Sequence, residues 1–162
     1  MWNLIKEVAC IICNGRPSRV ELPTDFPIYE MPRSQMIEEL AELGLECQLK
    51  SKFAFPDIMV SYTDEKSWAK LIPFLTYPAD EYVEEDCDCD NYAKKASADA
   101  AFLFKLEGCL QCWGKMPLGP HAWGLVICGH RRYKLFEPNS GFPYAGELFA
   151  EGENSYLSKS WK

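Results

Sequence analysis

The chain has 162 residues, 48% of them hydrophobic and 14% aromatic, which is enough to bury the core of one domain. Its formal net charge of -7 argues against a nucleic-acid partner, because phosphate binding needs a concentrated basic surface. No apolar run approaches the roughly 20 residues that cross a bilayer, and no small-residue cleavage site marks a signal peptide. We therefore expect a cytoplasmic protein with no membrane partner.

The first 59 residues are predicted to be a helical and extended segment of unknown role, joined to a core over 60–162 in one compact domain. Apolar residues at helical spacing predict a helix over 2–13. Four prolines predict an extended connection over 16–33.

Two further helices have candidate caps in the sequence. Ser34 is placed to cap a helix that Gly44 ends. Asp64 is placed to cap the next helix, whose length Pro73 limits. Between them, residues 55–60 are predicted to form a short loop or an edge strand.

The second half of the chain contains the best-defined elements. Asn91–Glu107 is rich in alanine and predicts a helix packed closely in the middle of the domain, begun by Cys89 and ended by Gly108. Ala122–Cys128 predicts a strand, and Tyr133–Glu137 predicts the strand that returns after a turn. Glycines and prolines predict that the remainder is mostly loop.

Three side chains that could form a catalytic site stand at the ends of these predicted elements. Cys89 begins the predicted central helix, where unpaired backbone N–H groups favour the thiolate. His121 precedes one strand of the hairpin and Glu137 ends the other. A thiol, an imidazole and a carboxylate that orients the imidazole are the parts of a cysteine nucleophile site.

Three sequence blocks carry a resemblance to a known family: Asp88–Ala93, Gly119–Trp123 and Phe136–Gly141. They are similar to blocks of the papain-like cysteine peptidase superfamily. The nearest likeness is to the C-terminal peptidase domain of a mushroom agglutinin and to related bacterial and phage proteins.

The resemblance implies an α+β papain-like fold, with a central helix opened by the nucleophile and packed on a small antiparallel sheet. It implies a hydrolase, a cysteine peptidase or amidase acting on a peptide substrate. Cys89 would be the nucleophile, His121 the base and Glu137 its orienter. Asn139 stands where the family branch often has glutamine, and is a further candidate site residue.

The acidic residues around Cys89 allow two interpretations. Asp86, Asp88 and Asp90 could bind calcium through their oxygen atoms, as the resemblance also implies. Alternatively, they form a solvated surface run. The sequence itself requires no cofactor.

The eight cysteines are predicted to be reduced thiols, because the chain is larger than typical disulfide scaffolds. Two pairs have C-x-x-C spacing. Cys10 and Cys13 with Cys109 and Cys112 could hold one zinc ion, or all four could be buried thiols on two packed helices. A redox pair is a third interpretation.

Three classes of function are therefore open. The first is the cysteine-nucleophile enzyme. The second is a non-catalytic binding or structural protein on the same scaffold, with the three site residues present but idle. The third is an interaction module held together by zinc.

The hairpin must have a particular register if Glu137 is to reach His121. Side chains alternate along a strand, so a regular two-residue turn would place these two side chains on opposite faces. An odd-numbered loop, or a bulge, sets Trp123 across from Glu137 and Asn139 across from His121. We therefore predict an odd loop or a bulge. If neither is present, Asn139 becomes the candidate orienter.

Overall fold

The computed structural model describes residues 21–48, 57–84 and 86–162, and within these ranges it has three α-helices and eight β-strands. In chain order they are β1 (Tyr29–Pro32), α1 (Arg33–Glu42), β2 (Glu46–Cys47), β3 (Met59–Tyr62), α2 (Glu65–Leu71), α3 (Cys89–Phe104), β4 (Cys109–Met116), β5 (Gly119–Gly129), β6 (Arg132–Phe136), β7 (Leu148–Phe149) and β8 (Leu157–Trp161). The helix predicted over 2–13 lies outside the described residues.

A six-stranded sheet is the main feature of the fold, with the strand order β2-β8-β4-β5-β6-β7. Its neighbouring strands are antiparallel except for β2 and β8, which are parallel. A separate antiparallel pair joins β1 to β3. The predicted α+β papain-like fold, a central helix on a small sheet, was wrong, because strands dominate the described residues and build one large sheet with few helices.

Strands β4 and β8 were not predicted, and they account for much of the extra sheet. The first half of β4, Cys109–Cys112, is buried throughout, so it lacks the polar alternation that marks a half-exposed strand. In β8 only Trp161 is buried, and the segment follows a glycine-containing turn. The two strands pair with each other, with Cys112 opposite Trp161.

The sheet buries side chains on both faces. Alternation along β5 sends Trp123 and Leu125 into one core cluster together with Trp161. Val126 goes into the other cluster, where it meets the apolar side of α3. Because side chains alternate between the two faces, a residue on a strand can contact only groups that lie on its own face of the sheet.

The described part of the N-terminal segment pairs with the rest of the chain. The boundary predicted at residue 59 falls inside β3 (Met59–Tyr62). Met31 and Met36 lie in the same core cluster as Trp123, and β2 pairs with β8. These residues therefore belong to the packed structure around the sheet.

The ends of α1 and α2 show which cap predictions hold. The Ser34 cap was wrong: α1 begins after Pro32, and no side chain caps it. Gly44 ends the helix as predicted, with φ +85°, a conformation that glycine adopts at little cost. The Asp64 cap is confirmed, since its side chain accepts a hydrogen bond of 2.8 Å from the Ser67 backbone N–H.

Helix α3 begins at Cys89, as predicted, but it ends at Phe104 rather than Glu107. Its last turn closes at Lys105, which takes a left-handed conformation with φ 62°. Alanines on its inner side, such as Ala96, are fully buried and allow the helix to lie close to the sheet. Over the described ranges, no helix is long and apolar enough to cross a membrane.

The β5–β6 hairpin has the predicted bulge. Gly129 pairs with Arg132 across a two-residue turn, and the register then shifts between Ile127 and Gly129. Beyond the bulge, Gly124 pairs with Phe136. The predicted bulge is therefore confirmed. The pairing of β5 with β6 ends at Gly124 and Phe136, and beyond it Glu137 bridges to Ala145 and Asn139 to Tyr77, so the pairs Trp123–Glu137 and His121–Asn139 stay predictions.

Candidate functional site

The three predicted site residues come from three separate elements. Cys89 is the first residue of α3, and Asp88 caps that helix. His121 lies near the start of β5, and Glu137 directly follows β6. The bulged hairpin brings His121 and Glu137 onto the same face, and Cys89 reaches the same imidazole.

Glu137 is a carboxylate with no exposed surface, and its partners are well defined. Its Oε2 atom lies 2.8 Å from Nε2 of His121 and accepts a hydrogen bond of 3.0 Å from the Tyr156 hydroxyl. Its Oε1 atom accepts a hydrogen bond of 3.0 Å from the Asn139 backbone N–H. Buried polar groups are costly unless they are paired, and this carboxylate is paired on both oxygens.

Two residues act on the His121 imidazole, Glu137 through a hydrogen bond and Cys89 through its effect on the ring's pKa. Nε2 faces Glu137, which leaves Nδ1 as the ring nitrogen that faces the Cys89 thiol. Burial lowers the pKa of His121, but the hydrogen bonds and charges of Cys89 and Glu137 outweigh burial and raise it to about 9. The arrangement therefore favours a protonated imidazole near neutral pH.

Aromatic rings enclose the imidazole. The Phe142 ring is tilted by 30° against it, with ring centroids 4.5 Å apart. Trp123 and Tyr156 follow at 5.9 Å and 6.1 Å. Phe142 is only half-buried, so this stack lies at the edge of the site.

Asn139 stabilises the turn beside the site through its hydrogen bonds. Its Oδ1 atom accepts a hydrogen bond of 2.9 Å from the Gly141 backbone N–H, which closes a tight turn. Its own backbone N–H binds Glu137. Because Glu137 already contacts His121, Asn139 is not needed as the orienter.

Asp88 and Asp90 form a pair of carboxyl groups that share a hydrogen bond at the start of α3. That bond is the largest cause of a lowered pKa at Asp88 and of a raised pKa at Asp90. Asp90 is therefore the partner that holds a proton more readily. Its backbone C=O also accepts a hydrogen bond of 2.9 Å from the buried Gln111 side chain.

The metal predictions gain no support from the geometry. In the ranges 21–48, 57–84 and 86–162, no group of three or more histidine, cysteine, aspartate or glutamate side chains is placed to hold an ion. Asp86, Asp88 and Asp90 thus do not converge into a calcium site.

The zinc prediction fails on the direction of two side chains. Cys109 and Cys112 lie in β4 and enter opposite core clusters, so their thiols point to opposite faces of the sheet. Burial raises the pKa of both thiols, that of Cys112 to about 12, which disfavours the thiolate that zinc needs. Cys10 and Cys13 lie outside the described residues.

Three residues of the site were missed by sequence reasoning: Gln111, Phe142 and Tyr156. Phe142 and Tyr156 lie in the segment that was predicted to be loop, and Gln111 lies in the unpredicted β4. A buried tyrosine needs a hydrogen-bond partner, but nothing local in the sequence points Tyr156 at Glu137, 19 residues away.

No protein-family model matches the sequence, and no curated protein matches it. Among solved structures, the chain is similar to PSL1a in complex with E64, with a TM-score of 0.59 and 16% identity over 93% of this chain and 56% of that chain. It is also similar to the Polyporus squamosus lectin bound to the human-type influenza-binding epitope Neu5Acα2-6Galβ1-4GlcNAc. That match has a TM-score of 0.53 and 16% identity over 80% of this chain and 47% of that one.

The comparisons correct three expectations. The second of these structures is named as a lectin, and no family model supports a peptidase, which contradicts the resemblance to papain-like cysteine peptidases and the hydrolase activity that it implied. A glycan-binding neighbour also contradicts a peptide as the expected partner. At 16% identity the likeness establishes the fold, and the chain spans about half the length of the chains it matches. The catalytic roles of Cys89, His121, Glu137 and Asn139 stay predictions.

Proposed function

We propose that this chain is a binding protein whose ligand is a glycan. The observation that carries the proposal is the likeness in fold to the Polyporus squamosus lectin, whose solved structure holds a trisaccharide. We infer that the hydrogen bonds among the buried Glu137, His121 and Tyr156 hold the glycan-binding surface rigid. Rigid positioning of surface groups is what selective ligand binding requires.

The edge of the His121 site has the chemistry that a sugar needs. A sugar ring has apolar C–H faces that pack on aromatic rings, and hydroxyl groups that need hydrogen-bond partners. Phe142 offers a half-exposed ring that His121 holds in place at 4.5 Å. Ser140, which is exposed beside it, offers a hydroxyl group.

The charge of the chain favours a neutral glycan. Exposed carboxylates crowd the segment before α3, at Asp80, Glu81, Glu84 and Asp86, and the whole chain carries a net charge of -7. Such a field opposes an acidic sugar. We therefore propose that Galβ1-4GlcNAc binds better than its sialylated form.

Isothermal titration with the two sugars tests the proposal. Wild type should bind Galβ1-4GlcNAc, and Phe142→Ala should weaken binding about tenfold, a difference of about 1.4 kcal/mol. Phe102→Ala is the matched control, because Phe102 is 67% exposed. It lies 13 residues along α3 from Cys89, which is about 20 Å at the rise of an α-helix. Absence of binding to either sugar, or an equal loss in both variants, would overturn the proposal.

A second property rests on a different observation, the contact between Cys89 and His121. We propose that Cys89 is a reactive thiol, because a protonated imidazole and a helix N-terminus both stabilise a thiolate. Iodoacetamide should alkylate Cys89 well before the buried Cys109, Cys112 and Cys128, and His121→Ala should slow that reaction. Equal alkylation rates in wild type and in His121→Ala would contradict it. Whether the chain turns over a substrate stays a separate prediction.

The cytoplasmic location is kept as a proposal. The described Cys87, Cys89, Cys109, Cys112 and Cys128 are thiols rather than disulfides, as is usual in a reducing compartment. Localising a tagged chain by microscopy would test this directly.

A further inference from the structure

We propose that Cys87 and Cys89 form a reversible disulfide, which makes the start of α3 a site of oxidative modification. The proposal goes beyond glycan binding and does not depend on it. It rests on the backbone between the two cysteines, on the surroundings of Cys89, and on the contrast with the other described thiols.

The backbone places the two thiols on one side of the chain. Asp88, the residue between them, is extended, with φ -103° and ψ -163°. In an extended chain, side chains two residues apart point the same way, and their Cα atoms lie about 6.6 Å apart. Disulfides commonly join Cα atoms at about 4.4–6.8 Å, so a small contraction closes the bridge. Both cysteines are half-buried, which leaves them accessible to a small oxidant.

The surroundings select Cys89 as the thiol that reacts first. It is half-buried, it is the first residue of α3, and it lies close enough to His121 to help raise the pKa of that imidazole. By contrast, burial raises the pKa of the Cys112 and Cys128 thiols to about 12. Since the thiolate is the reactive form, oxidation should begin at Cys89.

The chemistry balances with a peroxide as the oxidant. The Cys89 thiolate attacks one peroxide oxygen, the O–O bond breaks, hydroxide leaves, and Cys89 becomes a sulfenic acid. The Cys87 sulfur then attacks the Cys89 sulfur, the S–O bond breaks, and the S–S bond forms. The leaving hydroxide takes the Cys87 proton and departs as water. The two cysteines lose two electrons in total, and the peroxide gains them.

Closing the bridge should alter the start of the helix. Cys87 is held in a tight turn, where its backbone N–H donates a hydrogen bond of 2.7 Å to the Val83 carbonyl. Asp88 accepts a hydrogen bond of 3.3 Å from the Asp90 backbone N–H and so caps α3. Contraction between Cys87 and Cys89 moves Asp88 out of the extended conformation, and that cap is lost. The Cys89 sulfur also leaves His121.

Peptide mass spectrometry after treatment with hydrogen peroxide tests the proposal. In wild type, the peptide that contains both cysteines should lose two hydrogen atoms, resist alkylation, and recover on treatment with dithiothreitol. In Cys87→Ser, the same treatment should leave a sulfenic acid at Cys89 that dimedone labels. Cys128→Ser is the matched control and should still form the bridge.

The structural consequence gives a second readout. Oxidised wild type should melt at a lower temperature than the reduced form, because the Asp88 cap is lost, whereas a Cys87→Ser chain should show no such bridge-dependent shift. The proposal would be overturned if dimedone labels Cys89 in wild type and the peptide does not lose the two hydrogen atoms that a disulfide requires. An equal product in wild type and Cys87→Ser, or a disulfide that links Cys89 to another cysteine, would also overturn it.

Discussion

Oε2 of Glu137 lies 2.8 Å from Nε2 of His121, and both side chains are buried. His121 lies near the start of β5 and Glu137 directly follows β6, in a hairpin with a bulge. The same Glu137 oxygen also accepts a hydrogen bond from the Tyr156 hydroxyl. The carboxylate therefore fixes the orientation of the imidazole, raises its pKa, and ties β5 to the C-terminal part of the chain.

Replacing Glu137 by glutamine should lower the pKa of His121 from about 9 towards 6.5, since the negative charge beside the ring is removed. It should also destabilise the fold by about 1–3 kcal/mol, because a buried hydrogen-bond network is disturbed. Proton NMR titration of the ring signals measures the pKa. The other histidine, His130, lies in the exposed hairpin turn and is an internal control, because its ring signals should be the same in wild type and in Glu137→Gln. An unchanged His121 titration would contradict the assigned contact.

The stability of the fold should depend on pH through His121. Its pKa in the folded state is about 9, above its ordinary value of 6.5, so folding favours the protonated ring. This contribution is complete below pH 6.5 and is lost as the pH rises through about 9. Urea unfolding should show a loss on the order of 2 kcal/mol across that window. His121→Gln should flatten this dependence, and a His121→Gln profile equal to that of wild type would contradict the prediction.

Local signals in the sequence predicted local structure well. Asp64 as a cap, Gly44 as a helix end and Cys89 as the start of α3 each depend on a few neighbouring residues. The bulge in the hairpin was also predictable, because a required contact between His121 and Glu137 restricts the register.

The extent of the sheet was not predictable from local patterns. The first half of β4, Cys109–Cys112, is buried on both faces and so lacks an alternation of polar and apolar residues, and β8 has only Trp161 as a buried residue. Their pairing joins segments about fifty residues apart, which no short window contains. The fold class was therefore wrong although several of its elements were right.

The contact between Gly124 and Phe136 should be essential to the hairpin. A Cβ atom at Gly124 would lie 2.0 Å from the Phe136 ring, so Gly124→Ala should destabilise the fold by about 1–3 kcal/mol. Adding Phe136→Leu should recover part of that loss, since the smaller side chain makes room. Thermal unfolding of the two single variants and the double variant measures the coupling. Purely additive losses would contradict the proposed close approach.

The carboxyl pair at the start of α3 predicts an unusual response to amide substitution. Asp90 has a raised pKa because it shares a hydrogen bond with Asp88. The amide of an asparagine donates a hydrogen bond at any pH, whereas a carboxyl group donates only while it is protonated. Asp90→Asn should therefore keep or raise the melting temperature at pH 7. Asp86→Asn, an exposed neighbour, is the control and should have little effect. A clear loss of stability in Asp90→Asn alone would contradict the hydrogen bond assigned between Asp88 and Asp90.

The most direct test of the proposed glycan site is to map binding on the isotope-labelled protein by NMR. Adding Galβ1-4GlcNAc should shift signals of Phe142, Ser140 and the His121 ring, and should leave Phe102 on the far part of α3 unchanged. Saturable shifts confined to that edge are the result predicted here. An unchanged spectrum at high sugar concentration, or shifts that cluster away from Phe142, would contradict the proposed site.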